Sequence, residues 1–180
     1  MKLIKELVFR MRGQYSVERL IKLGLTVGKN FNPQHGYDLD PSHCWLISIG
    51  DDVVFGPNVS ILAHDASTCN ALGYAKIGCV TIGDRVFIGE GSVVLPGVSI
   101  GSDFIIGANS TVTKDVPDGC VFAGNPARFL FTTTEYIDKH RKKMKSLPCY
   151  GEDYTLRGNI SNEKKRQMKE EIKTLGGYVL

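Results

Sequence analysis

Branched aliphatic residues recur at every sixth position through the middle of this chain. From Ile82 the series runs Ile88, Val94, Ile100, Ile106 and Val112. Glycine follows four of these anchors, at Gly83, Gly89, Gly101 and Gly107. Four positions after each anchor stands a second small or apolar side chain: Val86, Ser92, Val98, Phe104, Ser110 and Val116. The same register appears upstream as Ile49, Phe55 and Ile61, with Gly50 and Gly56 after two of them and Val53 and Val59 at the second position. Nine anchors in two runs of six-residue spacing lie far beyond coincidence.

The period decides the architecture. An α-helix spaces its apolar residues by three and four, and an isolated amphipathic strand alternates at two. A sustained period of six means short strands joined by tight corners, each strand sending its anchor inward. β-Branched anchors suit strands. Glycine beside them suits corners where φ is positive or where backbones crowd. Triangular coils of three hexads, stacked, bury a continuous aliphatic column that no single coil makes alone. The anchors are therefore core, and function belongs to whatever interrupts the pattern.

Two regions interrupt it. Between Ile61 and Ile82 the spacing is 21, not a multiple of six, so a loop is inserted near residues 65–75. His64 to Tyr74 is its polar, irregular part, and Ile77-Gly78 leads back to the coil out of register. Residues 24–48 hold further coils around Val27-Gly28 and Phe31 whose register the pattern leaves open. Ser16 is placed to cap a helix with Val17, Leu20 and Ile21 on one face. After Pro117 the repeat stops, Gly124-Asn125-Pro126 marks a turn, and residues 133–146 and 161–174 read as basic helices with Glu163 near the start of the second. The expected organisation is an N-terminal helical segment (1–24), a β-helix (25–130) and a C-terminal helical extension (131–180).

Composition narrows the function. A net charge of +3 is too small to imply nucleic acid. No stretch approaches the roughly 18 uninterrupted apolar residues of a membrane span, and Met1–Arg12 lacks the apolar core of a secretion signal. The five cysteines are odd in number and show no C-x-x-C spacing, which argues against a disulfide framework or zinc site and fits a reducing, cytoplasmic setting.

His64-Asp65 stands where the repeat breaks. An imidazole titrates near neutral pH and can accept a proton from an alcohol that attacks a thioester. His35 and His43, with Asp38 and Asp40, lie upstream in a polar stretch from which any of them could reach the same place. Asp65 is adjacent to His64, but neighbouring strand residues face opposite ways, so Asp38 or Asp40 is an equally good partner. Cys69 and Cys79 lie near the loop with nothing nearby in sequence to activate either as a thiol carrier. His140, in a basic helix, reads as surface.

Residues 25–131 resemble the hexapeptide-repeat acyltransferases of the left-handed β-helix class. The most specific stretch is IGDRVFIGEGSVVLPGVSIGSDFIIGANSTVTKDVPDGCVFAGNPARFL, from Ile82 to Leu130. The segment ISIGDDVVFGPNVSILAHDAS, Ile49 to Ser67, is similar to members that modify sugars and cell-surface polysaccharides. The resemblance implies a mainly β fold, a left-handed parallel β-helix with α-helical segments at both ends. It implies an acetyl-CoA-dependent O-acetyltransferase that uses acetyl-CoA as co-substrate and no metal, with His64 as general base. It also implies a homotrimer with sites between subunits. In that family the small residue after the coil glycine, here Ala108, lets the pantetheine pass, and Thr113, Lys114 and Arg128 meet the nucleotide end. Two positions depart from the pattern. Asp38 and Asp40 stand where sugar-modifying members often place asparagine, and Phe131 stands where some carry a second arginine.

The acceptor is expected to be a small molecule, a sugar or polysaccharide precursor; serine, an amino sugar or an antibiotic is the alternative. A carbonic anhydrase of the β-helical kind needs three histidine ligands, and only His64 lies within the registered coils. A non-catalytic β-helix scaffold would leave the histidine, the inserted loop and the TK…NPAR terminus without a role.

Overall fold

The computed structural model describes residues 14–180, so the first half of the expected N-terminal helical segment lies outside the described residues. The chain divides into two compact units, one ending at Thr133 and the other spanning Thr134–Leu180.

The first unit is a stack of parallel coils with three faces. One face pairs Thr26–Val27, Ile47–Ile49, Val80–Ile82 and Ser99–Ile100. A second pairs Asn32–Pro33, Val54–Phe55, Phe87–Ile88, Ile105–Ile106 and Cys120–Ala123. The third pairs Ser60–Ile61, Val93–Val94 and Thr111–Val112. The hexad register survives intact from coil to coil, since Ile49 pairs with Ile82, Phe55 with Ile88 and Val94 with Val112. All nine sequence anchors are buried, as are Val53, Val59, Val86, Val98 and Phe104 from the second position. Each large aliphatic or aromatic side chain so enclosed is worth about 1.5–3 kcal/mol of transfer free energy. The two serines in the column are satisfied. Ser92 Oγ and Ser110 Oγ both donate to Gly107 O, at 2.9 and 2.6 Å, and accept from Ser110 N and Gly124 N.

The corners separate two roles that glycine plays in the sequence. The glycines directly after the anchors serve close approach: a Cβ on Gly89 would lie 2.5 Å from Ala108 N, and one on Gly56 2.6 Å from Glu90 N. Positive φ falls two residues later. Asn30, Asp52, Arg85 and Asp103 occupy it at one corner, and Asn58, Gly91 and Asn109 at the next. Small polar side chains also tie neighbouring coils at the first corner, where Asp51 N donates to Asp84 Oδ1, Asp84 N to Ser102 Oγ and Ser102 N to Asp118 Oδ1.

The register left open upstream is set by pairing. Val27 pairs with Ile49, Pro33 with Phe55, and Asp38 bridges to Ser60. The anchors of the first coil are therefore Val27, Pro33 and the buried Leu39, with Phe31 and Tyr37 at the second position. Phe31 stacks edge-on against Phe55 at 5.0 Å. From Leu39 to Ile49 is ten positions instead of six, so this coil also ends in an insertion. Both insertions leave the stack at the third corner, on adjacent coils. The second is a hairpin in which His64–Asp65 pairs antiparallel with Lys76–Ile77, and Gly78 N donates to Ala63 O to close its base.

Of the expected helix near the N-terminus, Val17–Lys22 is described. Ser16 Oγ accepts from Arg19 N at 3.3 Å, and Leu20 is buried. Ile21, expected on the same face, is exposed, because this short helix packs through Leu20. The coil stack ends in Arg128–Thr132, which turns back antiparallel on Cys120–Ala123.

The α-helix Thr133–Met144 begins at the boundary of the second unit, and Asn162–Glu171 follows within it, capped by Ser161 Oγ accepting from Lys164 N. Cys149–Tyr150 pairs in parallel with Tyr178–Val179. His140 is half-buried, its Nδ1 lying 2.9 Å from Tyr178 Oη. No helix among the described residues is long and apolar enough to cross a membrane.

Candidate active site

The two insertions at the third corner meet. Asp40 comes from the first, and its carboxylate is almost wholly enclosed, with 1% of the side chain exposed. His64 opens the second. Its Nδ1 lies 2.6 Å from Asp40 Oδ2, and the backbone N–H groups of Ala63 and His64 donate to the same oxygen at 2.8 and 2.9 Å. Burial raises the Asp40 carboxyl, but the His64 hydrogen bond and the two amides outweigh it and hold the group below the usual carboxylate range. Asp40 is therefore a carboxylate at neutral pH, and a carboxylate only accepts. His64 Nδ1 must therefore carry a hydrogen, and in the neutral ring the lone pair is then on Nε2. The imidazole is about one-third exposed.

His43 completes the group. It follows Asp40 by one turn, with His43 N donating to Asp40 O at 2.9 Å. Its ring centroid lies 4.9 Å from that of His64 and 5.3 Å from that of the exposed Trp45. His43 Nδ1 stands 3.9 Å from Asp40 Oδ1.

The other residues expected near His64 are placed as follows. Asp65, beside it in the chain, turns to the hairpin. It pairs with Lys76 at 2.7 Å and accepts from Ser67 N, and the Lys76 ammonium holds its carboxyl far below the usual range. Asp38 supports the turn into Asp40, accepting from Asp40 N at 3.1 Å. His35 is exposed at a corner, where its carbonyl accepts from Asn58 N, and no hydrogen bond links it to His64. Cys69 and Cys79 are exposed free thiols. Among the described residues two imidazoles converge here, so this chain alone does not make a three-histidine set. His43 was among the residues expected to be able to reach His64, without a distinct role; the ten-position step from Leu39 to Ile49 was the further signal.

Thr113, Lys114 and Arg128 come together elsewhere on the first unit. They line a cavity of about 480 Å³ with Val112, Asp115, Phe122 and Phe129. Asp115 is engaged, accepting from Ser99 N at 2.8 Å, while the Arg128 guanidinium donates to Ala127 O. Lys114 enters none of the ion pairs among the described residues. Two cations facing one cavity suit a phosphorylated ligand. Ala108 is exposed on the stack and does not line this cavity.

A coil stack whose core is a hexapeptide repeat, carrying a histidine–carboxylate pair where the repeat is interrupted, defines a class. Residues 73–114 match the bacterial transferase hexapeptide family model of six repeats. Protein CapG of Staphylococcus aureus is 33% identical over 177 residues, 91% of this chain and 92% of that protein. Galactoside O-acetyltransferase of Escherichia coli (strain K12) is 33% identical over 137 residues, 74% of this chain and 62% of that protein. A galactoside acetyltransferase solved in complex with coenzyme A superimposes with a TM-score of 0.52 at 31% identity, over 64% of this chain and 58% of that one. The chain belongs to the hexapeptide-repeat transferase family. It spans about half to three fifths of the length of several curated relatives it matches.

Proposed function

We propose that this protein is an acetyl-CoA-dependent O-acetyltransferase that acts on a sugar or polysaccharide precursor, with His64 as general base. The carrying observation is the Asp40–His64 hydrogen bond, which selects the Nδ1–H tautomer of the neutral imidazole and so makes Nε2 the proton acceptor. The sugar acceptor is supported by the likeness to galactoside O-acetyltransferases. The left-handed coil, the homotrimer with sites between subunits and the cytoplasmic setting belong to the same proposal and rest on family membership.

In the reaction His64 Nε2 takes the proton of the acceptor hydroxyl as its oxygen attacks the thioester carbonyl carbon. The C–S bond then breaks, and the imidazolium returns the proton to the departing thiolate. Asp40 stays ionised throughout and stabilises the imidazolium by its charge. The transfer is direct, so no acetyl-enzyme forms, and the gain comes from holding two substrates side by side. The residues around the 480 Å³ cavity fit the phosphates of coenzyme A: Lys114 as a point charge, Arg128 as a forked donor and Thr113 as a hydroxyl.

The test is thiol release from acetyl-CoA by the purified protein, offered galactosides, glucosides, amino sugars and serine in turn. Turnover is expected with a glycoside hydroxyl and is expected to fall by roughly 100- to 10,000-fold in His64→Ala, with acetyl-CoA affinity retained. Turnover surviving in His64→Ala, or confined to serine, overturns the reading.

A further inference from the structure

The dyad accounts for one oxygen of Asp40. The other, Oδ1, is enclosed and has no hydrogen-bond partner among the described residues, and the same holds for His43 Nδ1, 3.9 Å away. A buried carboxylate oxygen and a buried ring nitrogen, both unsatisfied and facing one another, point to a single relation between them, because groups of this kind are almost always paired. The turn holds them in place. Leu46 N donates to His43 O at 2.9 Å, and the His43 ring centroid lies 5.3 Å from that of Trp45 and 4.9 Å from that of His64.

We infer that His43 is a positioning residue of the dyad: its Nδ1–H faces Asp40 Oδ1, so that one carboxylate is held between two imidazoles and His43 sets how firmly His64 keeps a proton. The inference rests on the dyad described under the proposed function. A carboxylate stabilises a neighbouring imidazolium by its charge. An N–H dipole on its second oxygen withdraws part of that charge, and a fully protonated His43 withdraws more. Both forms act in the same direction, so the sign is independent of the charge on His43. With His43 present, His64 releases its proton more readily and is available as a base over a wider range. Without it, the whole carboxylate acts on His64, which then holds its proton to higher pH.

The other charged and titratable groups around the pair are accounted for. On the first insertion, Asp38 accepts the Asp40 N–H, and Cys44 is a neutral thiol directed at Leu20 O, its ionisation opposed by burial. On the hairpin, Asp65 is paired with Lys76. Neither acid donates to Asp40 Oδ1, which leaves His43 as the group facing it.

The experiment is side-chain nitrogen–proton NMR of the full chain, whose four histidines give a small set of ring signals, titrated across neutral pH. In the wild type both His43 and His64 are expected as the Nδ1–H tautomer; an Nε2–H tautomer for His43 overturns the inference with no substitution needed. In His43→Phe, which keeps the ring but loses the N–H, the His64 titration midpoint is expected to rise by about one pH unit. His43→Asn, which returns an amide near the place of Nδ1, is expected to recover at least half of that shift. A role confined to packing would spare the midpoint in both variants. An unmoved or lowered midpoint in His43→Phe, or His43→Asn behaving as His43→Phe does, overturns the inference. Its failure is separable from that of the proposed function, which stands or falls on turnover in His64→Ala.

Discussion

Asp40 keeps a full negative charge in a place nearly closed to water, and three N–H groups on one oxygen make that tenable. The charge is what orients His64, so Asp40→Asn should be costly even though it is nearly isosteric. An amide retains an oxygen for the two backbone donors but no longer stabilises the imidazolium, and turnover is expected to drop by roughly 100- to 10,000-fold. Because the folded-state carboxyl lies below its unfolded value, its contribution to stability is complete above the ordinary carboxylate range. That contribution disappears as pH falls through the lowered folded-state value. Melting temperature followed from neutral to acid pH should therefore fall less steeply in Asp40→Asn than in the wild type. Equal slopes would mean that the enclosed charge contributes nothing to the acid response.

The coil corner tolerates change very unevenly. At Gly89 a methyl group would meet the backbone of Ala108, which cannot swing aside, so Gly89→Ala should destabilise by about 1–3 kcal/mol. At Gly97 a methyl group meets nothing within 4 Å, and the cost is confined to a positive φ of 82°, about 1 kcal/mol. Thermal denaturation should rank Gly89→Ala well below Gly97→Ala; the reverse order would remove the crowding argument. The stack from Ile49 to Val112 was legible because aliphatic anchors marked almost every strand. The first coil was not, because Pro33 occupies an anchor position and Phe31 and Tyr37 enlarge the second position beyond the usual valine or serine. The candidate site was half legible. His64 announced itself at the break in the repeat, but its partner is 24 residues away in the chain, and Asp38, Asp40 and Asp65 were equivalent in sequence. Only the emergence of two insertions from one corner on neighbouring coils separates them.

At the scale of the whole molecule the proposal requires assembly and a phosphate site. Phe87 and Trp45 on the first unit are exposed, and the proposed assembly is expected to cover part of such apolar surface. Light scattering is expected to give three times the chain mass, and a fully active monomer would end the trimer reading. A Lys114→Ala, Arg128→Ala double variant is expected to weaken acetyl-CoA binding without changing that mass, and unchanged affinity would place the nucleotide elsewhere. The third face has a consequence for size. His64 follows the strand Ser60–Ile61, and Thr113-Lys114 follow Thr111–Val112, two strands further along the same face. At about 4.8 Å per strand, the stack is a ruler of roughly 10 Å between the proposed base and the proposed phosphate site. Its gradations are whole coils, so one coil more or fewer would keep the fold and the residues while fitting a donor of a different length.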